Sequence, residues 1–165
     1  MTMYQIRYEG LCMQGCVRKN NEDNLLCAGR ILPLLHQDET ECLSGTLSAS
    51  DGTWFAVFDG MGGAAAGEAA SYLAAREMAR LEQQKEDCPS SAGDLMDAAE
   101  LCRSMNCRVL EYAESAHARG MGTTVTALFF PLPAHPALTW GTADAMFSVT
   151  ASCISSLRIT LCSLR

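Results

Sequence analysis

The hydrophobic positions of the chain change period several times, and each change marks an element. Met3 to Tyr8 alternates, with Tyr4, Ile6 and Tyr8 in step, and predicts a strand that Leu11 to Gly15 leads out of. A polar cluster from Gly15 to Asn24 follows, and the short apolar run Leu25 to Ala28 predicts a second strand. Arg30 to Thr53 holds no clear period; it reads mostly as loop, with a strand around Glu41 to Leu47. Trp54 to Phe58 is continuously apolar, as a buried core strand would be, and it runs directly into Asp59, Gly60, Met61, Gly62 and Gly63. Gly67 to Lys85 is rich in good helix formers, and Ala70, Leu73, Ala74, Met78 and Leu81 form a stripe at helical spacing. Asp87 to Gly93, with Pro89, breaks that helix. A second helix is predicted from Asp94 to about Ala118, with Leu95, Ala98, Ala99, Cys102, Met105, Val109, Leu110 and Ala113 as its buried face. Gly120 to Thr124 stops it, and Val125 to Phe130 predicts another strand.

Strand, strand, core strand, helix, helix, strand implies an α+β sandwich in which antiparallel strands are covered by a helical pair. The 165 residues suit one domain, with no internal repeat. Net charge is -7 and the pI is about 4.9, which argues against a nucleic-acid partner. The nine cysteines form no Cys-x-x-Cys pair and have no histidine close by in sequence, so they read as reduced thiols, mostly buried as small hydrophobes. Met1 to Gly10 has no apolar core of a leader peptide, and no apolar run is long enough to span a bilayer; a cytoplasmic protein is expected.

The chemistry gathers at two stretches. Asp59 closes the core strand where glycines let the backbone bend closely around something. Hard cations want carboxylate and carbonyl oxygens at such an edge, although Asp-Gly is also an ordinary turn. Glu22 and Asp23 place two more acids in the polar cluster, and two acidic sites can flank a binuclear centre for phosphoryl chemistry. Arg18 offers a planar fork of donors for phosphate oxygens; a surface ion pair with Glu22 is its other reading.

Three motifs carry a family resemblance: Val17 to Asn24; Phe55 to Gly63 with Gly67, Glu68, Ala70 and Ser71; and Gly120 to Thr124. In this order and spacing the chain resembles the PP2C-type metal-dependent protein serine/threonine phosphatases, in particular the bacterial branch, over about its first 130 residues. The resemblance implies the N-terminal portion of a PP2C-like α-β-β-α sandwich. It implies a site in which Asp59 bridges two metal ions and the Gly60 carbonyl contacts one of them. Glu22 and Asp23 would hold metal-bound waters or ligate directly, and Arg18 would bind the substrate phosphate. The implied cofactor is Mn²⁺ or Mg²⁺, two ions in the intact site, and a metal-bridging water attacks phosphorus without a phospho-enzyme. Gly122 to Thr124 would be structural, and His36, His117 and His135 fall in no family motif. The implied partners are phosphorylated proteins within a Ser/Thr kinase system.

Beyond residue 130 the pattern departs. Family members continue with a Gly-Asp-Ser-Arg turn and two later aspartates that complete the metal site. Here the only later acid is Asp144, in no such motif, and Ser, Thr and Cys are frequent without a period. Read one base out of frame, the degenerate codons of Leu138 to Leu161 permit Asn-Val-Gly-Asp-Ser-Arg-Cys-Tyr-Val, with a glycine at Trp140–Gly141 and a valine at Met146–Phe147 forced. Residues 1–130 are therefore expected to be the N-terminal part of a phosphatase domain, and 131–165 an out-of-frame tail. The expected function is metal-dependent hydrolysis of phosphoserine and phosphothreonine, weak or absent in this chain. The alternatives are a non-catalytic remnant or an acidic divalent-cation-binding regulatory module.

Overall fold

The computed structural model describes residues 4–14, 20–36, 40–48, 53–61, 66–87, 98–130, 146–148 and 156–163. In chain order its elements are β1 (Tyr4–Met13), β2 (Asp23–Cys27), β3 (Arg30–Ile31), β4 (Thr40–Ser48), β5 (Thr53–Met61), α1 (Gly67–Asp87), α2 (Ala98–Ser115), β6 (Gly122–Phe130), β7 (Met146–Ser148) and β8 (Ser156–Ser163). The strands make two antiparallel sheets, ordered β4-β1-β8 and β3-β2-β5-β6-β7. The fold is thus mixed α and β, with antiparallel sheets and two helices.

Strand β5 explains the layering. Successive side chains on a strand point to opposite faces. Trp54, Ala56 and Phe58 join one core cluster with Ala70, Ala74 and Met78 of α1 and Leu101, Met105 and Val109 of α2. Phe55 and Val57 join the other, with Tyr8 and Cys12 of β1 and Leu43 of β4. The five-stranded sheet is therefore buried on both faces, which is why its central strand reads as an unbroken apolar run. Five of the residues that α1 buries in the first of these clusters, Ala69, Ala70, Ala74, Ala75 and Ala79, are alanines, which lets the helix lie close to the sheet. Glu82 anchors α1 further: its Oε1 accepts from the Thr53 hydroxyl at 2.7 Å and from the Trp54 N–H at 2.9 Å.

Several expectations are corrected. Strand β1 runs to Met13, because it pairs along its length with β4 on one side and with β8 on the other. The Arg30–Thr53 stretch carries β3 as well as β4, and a two-residue hairpin, Ala28-Gly29 with both φ positive, joins β2 to β3. Strand β5 continues through Asp59 and Gly60 to Met61, because β6 stays paired to Gly122. The stretch beyond residue 130, which has no readable period, supplies β7 and β8. Helix α2 ends at Ser115, before the glycine: Ala118 N–H bonds to the Ala113 carbonyl at 3.0 Å, with His117 in the left-handed region. Its buried face is Leu101, Met105 and Val109, whereas Ala99, Cys102 and Leu110 are exposed. Leu95 lies outside the described residues. Cys12 and Cys27 are buried, but Cys42, Cys102 and Cys107 are exposed, and none of these five forms a disulfide. Burial pushes the Cys27 thiol up to about 11. No described helix is long and apolar enough to cross a membrane.

Candidate functional site: an acid corner at the end of the sandwich

Strands β2 and β5 end together. Their register sets Asp23 opposite Asp59, Asn24 opposite Phe58 and Leu25 opposite Val57. The Gly60 N–H donates to the Glu22 carbonyl at 3.1 Å. Hydrogen-bonded and non-hydrogen-bonded pairs alternate along an antiparallel ladder, so Asp23 and Asp59 form a non-hydrogen-bonded pair. Such pairs bring Cα atoms to about 4.5 Å and side chains closest together. Both lie in step with Leu25, Cys27, Phe55 and Val57, on the face turned to β1 and β4. Asp23 is 9% exposed and Asp59 is half-buried. Two carboxylates thus face each other at the mouth of the space between the sheets.

Glu22 is brought to the same end but turned the other way. A side chain at position 67 would run into the Glu22 carboxylate, so this acid occupies the space that Gly67 leaves at the start of α1. A negative charge there meets the positive end of the helix dipole, which gives Glu22 a structural role whatever else it does. Glu68 follows in the first turn, and its Oε2 is buried with no hydrogen-bond partner among the described residues. Gly60 closes the corner: a Cβ there would meet the carbonyl oxygens of both Glu22 and Gly67. Only glycine lets these three backbone segments converge.

Two further side chains hold the acids' backbone. The Thr123 hydroxyl lies 3.0 Å from the Asp59 carbonyl, which it can serve as donor, and Gly122 to Thr124 open β6 as expected. The Asn21 Oδ1 accepts the Asp23 N–H at 3.1 Å, an Asx turn. Neither contact is assigned by the sequence reading; an Asn two residues ahead of the strand's first acid is the signal for the second. Arg18 lies outside the described residues, as does His135. His36 is buried beside Cys12, and His117 is exposed at the end of α2.

The donor set suits a hard divalent cation in kind, being carboxylates and a strand-end backbone held close together. It is a partial set: the described residues contain no group of three or more His, Cys, Asp or Glu side chains placed to hold a metal ion. A surface hollow at the end of α2, around Leu110, His117 and Met121, and a groove between the helices, around Arg76, Arg80 and Arg108, both lie away from the corner.

Two curated relatives share sequence with this chain. Both are the serine/threonine protein phosphatase PstP of Mycobacterium tuberculosis, from strains CDC 1551 / Oshkosh and ATCC 25618 / H37Rv, and each is 35% identical over 129 residues. The match covers 76% of this chain and 19% of each relative, so the chain spans about a fifth of the length of the curated relatives it matches. No protein-family model and no solved structure matches the chain. The chain therefore resembles a serine/threonine protein phosphatase over most of its own length.

Proposed function

We propose that this chain carries the N-terminal part, residues 1–130, of a PP2C-type metal-dependent protein serine/threonine phosphatase, followed by an out-of-frame tail. The observation that carries the reading is the Asp23–Asp59 pair, two carboxylates opposed at the end of a core strand beside an obligatory glycine. Asp59, Asp23 and the Gly60 carbonyl are the first donors for Mn²⁺ or Mg²⁺, with Glu22 at the rim. Arg18 is the phosphate-binding residue. Two such cations, when bound, supply an activated water and offset phosphoryl charge. The chain's own residues fix the donors: Gly60 lets the backbones converge, and Thr123 holds Asp59. Phosphorylated proteins are the substrates, with a Ser/Thr kinase as counterpart, in the cytoplasm. The later aspartates of the family pattern do not occur in residues 131–165, and slow turnover is what this reading expects of the 165-residue chain. The second reading, a non-catalytic acidic module that binds divalent cations, draws on the partial donor set.

The test is Mn²⁺-dependent hydrolysis of a phosphothreonine peptide by the purified chain, with Asp59→Asn as control. Slow turnover that vanishes in the control supports the phosphatase reading. Mn²⁺ binding without turnover favours the acidic module. Soluble, folded chain with neither property overturns both.

A further inference from the structure

We propose that Asn21 is a positioning residue for the acid corner, held from behind by the buried thiol of Cys12. This rests on the phosphatase reading only in taking Asp23 as a cation donor. The Asn21 amide uses both of its polar ends. Its Oδ1 accepts the Asp23 N–H at 3.1 Å, and its Nδ2 donates to Cys12 Sγ at 3.1 Å. A backbone N–H can only donate, so the amide oxygen must face it and the orientation is fixed. Cys12 belongs to β1 of one sheet and Asp23 to β2 of the other, so this one side chain ties the sheets together beside the acids.

The thiol is itself held. Cys12 is 0% exposed, and its sulfur lies 4.0 Å from Nε2 of the buried His36. His36 Nδ1 lies 2.9 Å from the Pro33 carbonyl, which can only accept. Nδ1 therefore carries a proton, and in the neutral ring Nε2 is left as an acceptor facing the thiol. The chain of contacts runs from Pro33 through His36, Cys12 and Asn21 to the backbone of Asp23. Asp23 is the first residue of β2, where a strand frays most readily. A bond to its N–H restrains the backbone there, and so the direction in which its carboxylate meets that of Asp59. An Asx turn alone could swing about the Asn21 side chain; the bond to Cys12 removes that freedom.

The experiment is a Mn²⁺ titration of the full chain by calorimetry, with amide exchange at Asp23 and the thermal midpoint recorded for each variant. Asn21→Ala is expected to weaken Mn²⁺ binding about tenfold, the lower end of what outer-shell partners contribute, and to speed exchange at Asp23. Cys12→Ala reproduces most of this loss, Cys12→Ser, which keeps an acceptor, recovers part of it, and the double variant adds little to Asn21→Ala. Asn24→Ala is the structural control: this buried amide sits in the same strand, but its side-chain bonds go to the backbone of Leu25 and Leu32. It lowers the thermal midpoint and leaves Mn²⁺ affinity of the folded chain unchanged. Unchanged affinity in folded Asn21→Ala, or an equal loss in Asn24→Ala, overturns the proposal. If Asn21→Ala does not fold, the Cys12→Ala and Cys12→Ser pair carries the test. Absence of Mn²⁺ binding in the unsubstituted chain overturns the cation reading itself. Asp23 exchange then still reads the hold of Asn21, and an unchanged rate in Asn21→Ala removes that as well.

Discussion

At Gly60 a single added methyl group would meet the carbonyl oxygens of Glu22 and Gly67, which belong to backbone and cannot swing aside. Gly60→Ala is expected to destabilise the chain by about 1–3 kcal/mol, measured as a shift of the urea midpoint. One position earlier the sign reverses. Like charges directly opposite on a sheet are unfavourable, and Asp23 stands opposite Asp59. Asp59→Asn is therefore expected to relieve that repulsion in the cation-free chain by up to about 1 kcal/mol and, on the phosphatase reading, to lose the stabilisation that bound Mn²⁺ would give. Thermal midpoints in EDTA and in Mn²⁺ check both halves. These residues were legible in the sequence as types: an acid after an apolar run, then glycines. Their opposition was not, because nothing local in either stretch states which residue faces which.

At the scale of elements, the helices are joined through one buried acid. Glu77 of α1 is bonded to Arg80 at 2.6 and 2.9 Å, to Ser104 of α2 at 2.7 Å, and to Arg108 of α2 at 3.4 Å. The Arg80 guanidinium holds the Glu77 carboxyl down to about 2, against the opposing effect of burial, with Ser104 and Arg108 adding to the lowering. A carboxyl whose folded value lies below its ordinary 4.5 contributes stability at and above pH 4.5. That contribution is lost as pH falls from 4.5 towards 2. Urea midpoints between pH 7 and pH 3 should fall accordingly, and Glu77→Gln should flatten that part of the profile while costing about 1–3 kcal/mol at pH 7. The apolar stripe of α1 was readable because Ala70, Ala74 and Met78 repeat at helical spacing. That of α2 was readable in part: Met105, Val109 and Ala113 pack into the core as expected, but Cys102 and Leu110, apolar enough to count in a pattern, face outward. The helix's rotation is set by Glu77 and by the packing of Leu101, Met105 and Val109.

For the whole molecule, β5 is the shared wall of both core clusters. Phe55 and Phe58 are each 0% exposed but pack on opposite faces, one towards β1 and β4 and the other towards the helices. Truncation of either to alanine is expected to cost about 3–5 kcal/mol. A domain of this kind has about 5–15 kcal/mol in total. Because both layers depend on one strand, each variant should loosen the far layer as well as its own. Amide exchange in β1 and in α1 should rise together in Phe55→Ala and in Phe58→Ala; a rise confined to one layer would show that the two clusters unfold independently.

The order of β1, β2, β4, β5, the two helices and β6, and the residue types at the acid corner, can be read from the chain alone, since periodicity and composition are local properties. The sequence also carried the resemblance that the match to PstP supports in outline. That Asp23 faces Asp59, that Glu22 turns to the start of α1, and that Asn21 joins Asp23 to a buried thiol on the other sheet emerge only in three dimensions. Those facts depend on strand register and on which sheets stack. Both are fixed by hydrogen bonds and packing between residues far apart in the chain, where no local pattern records them.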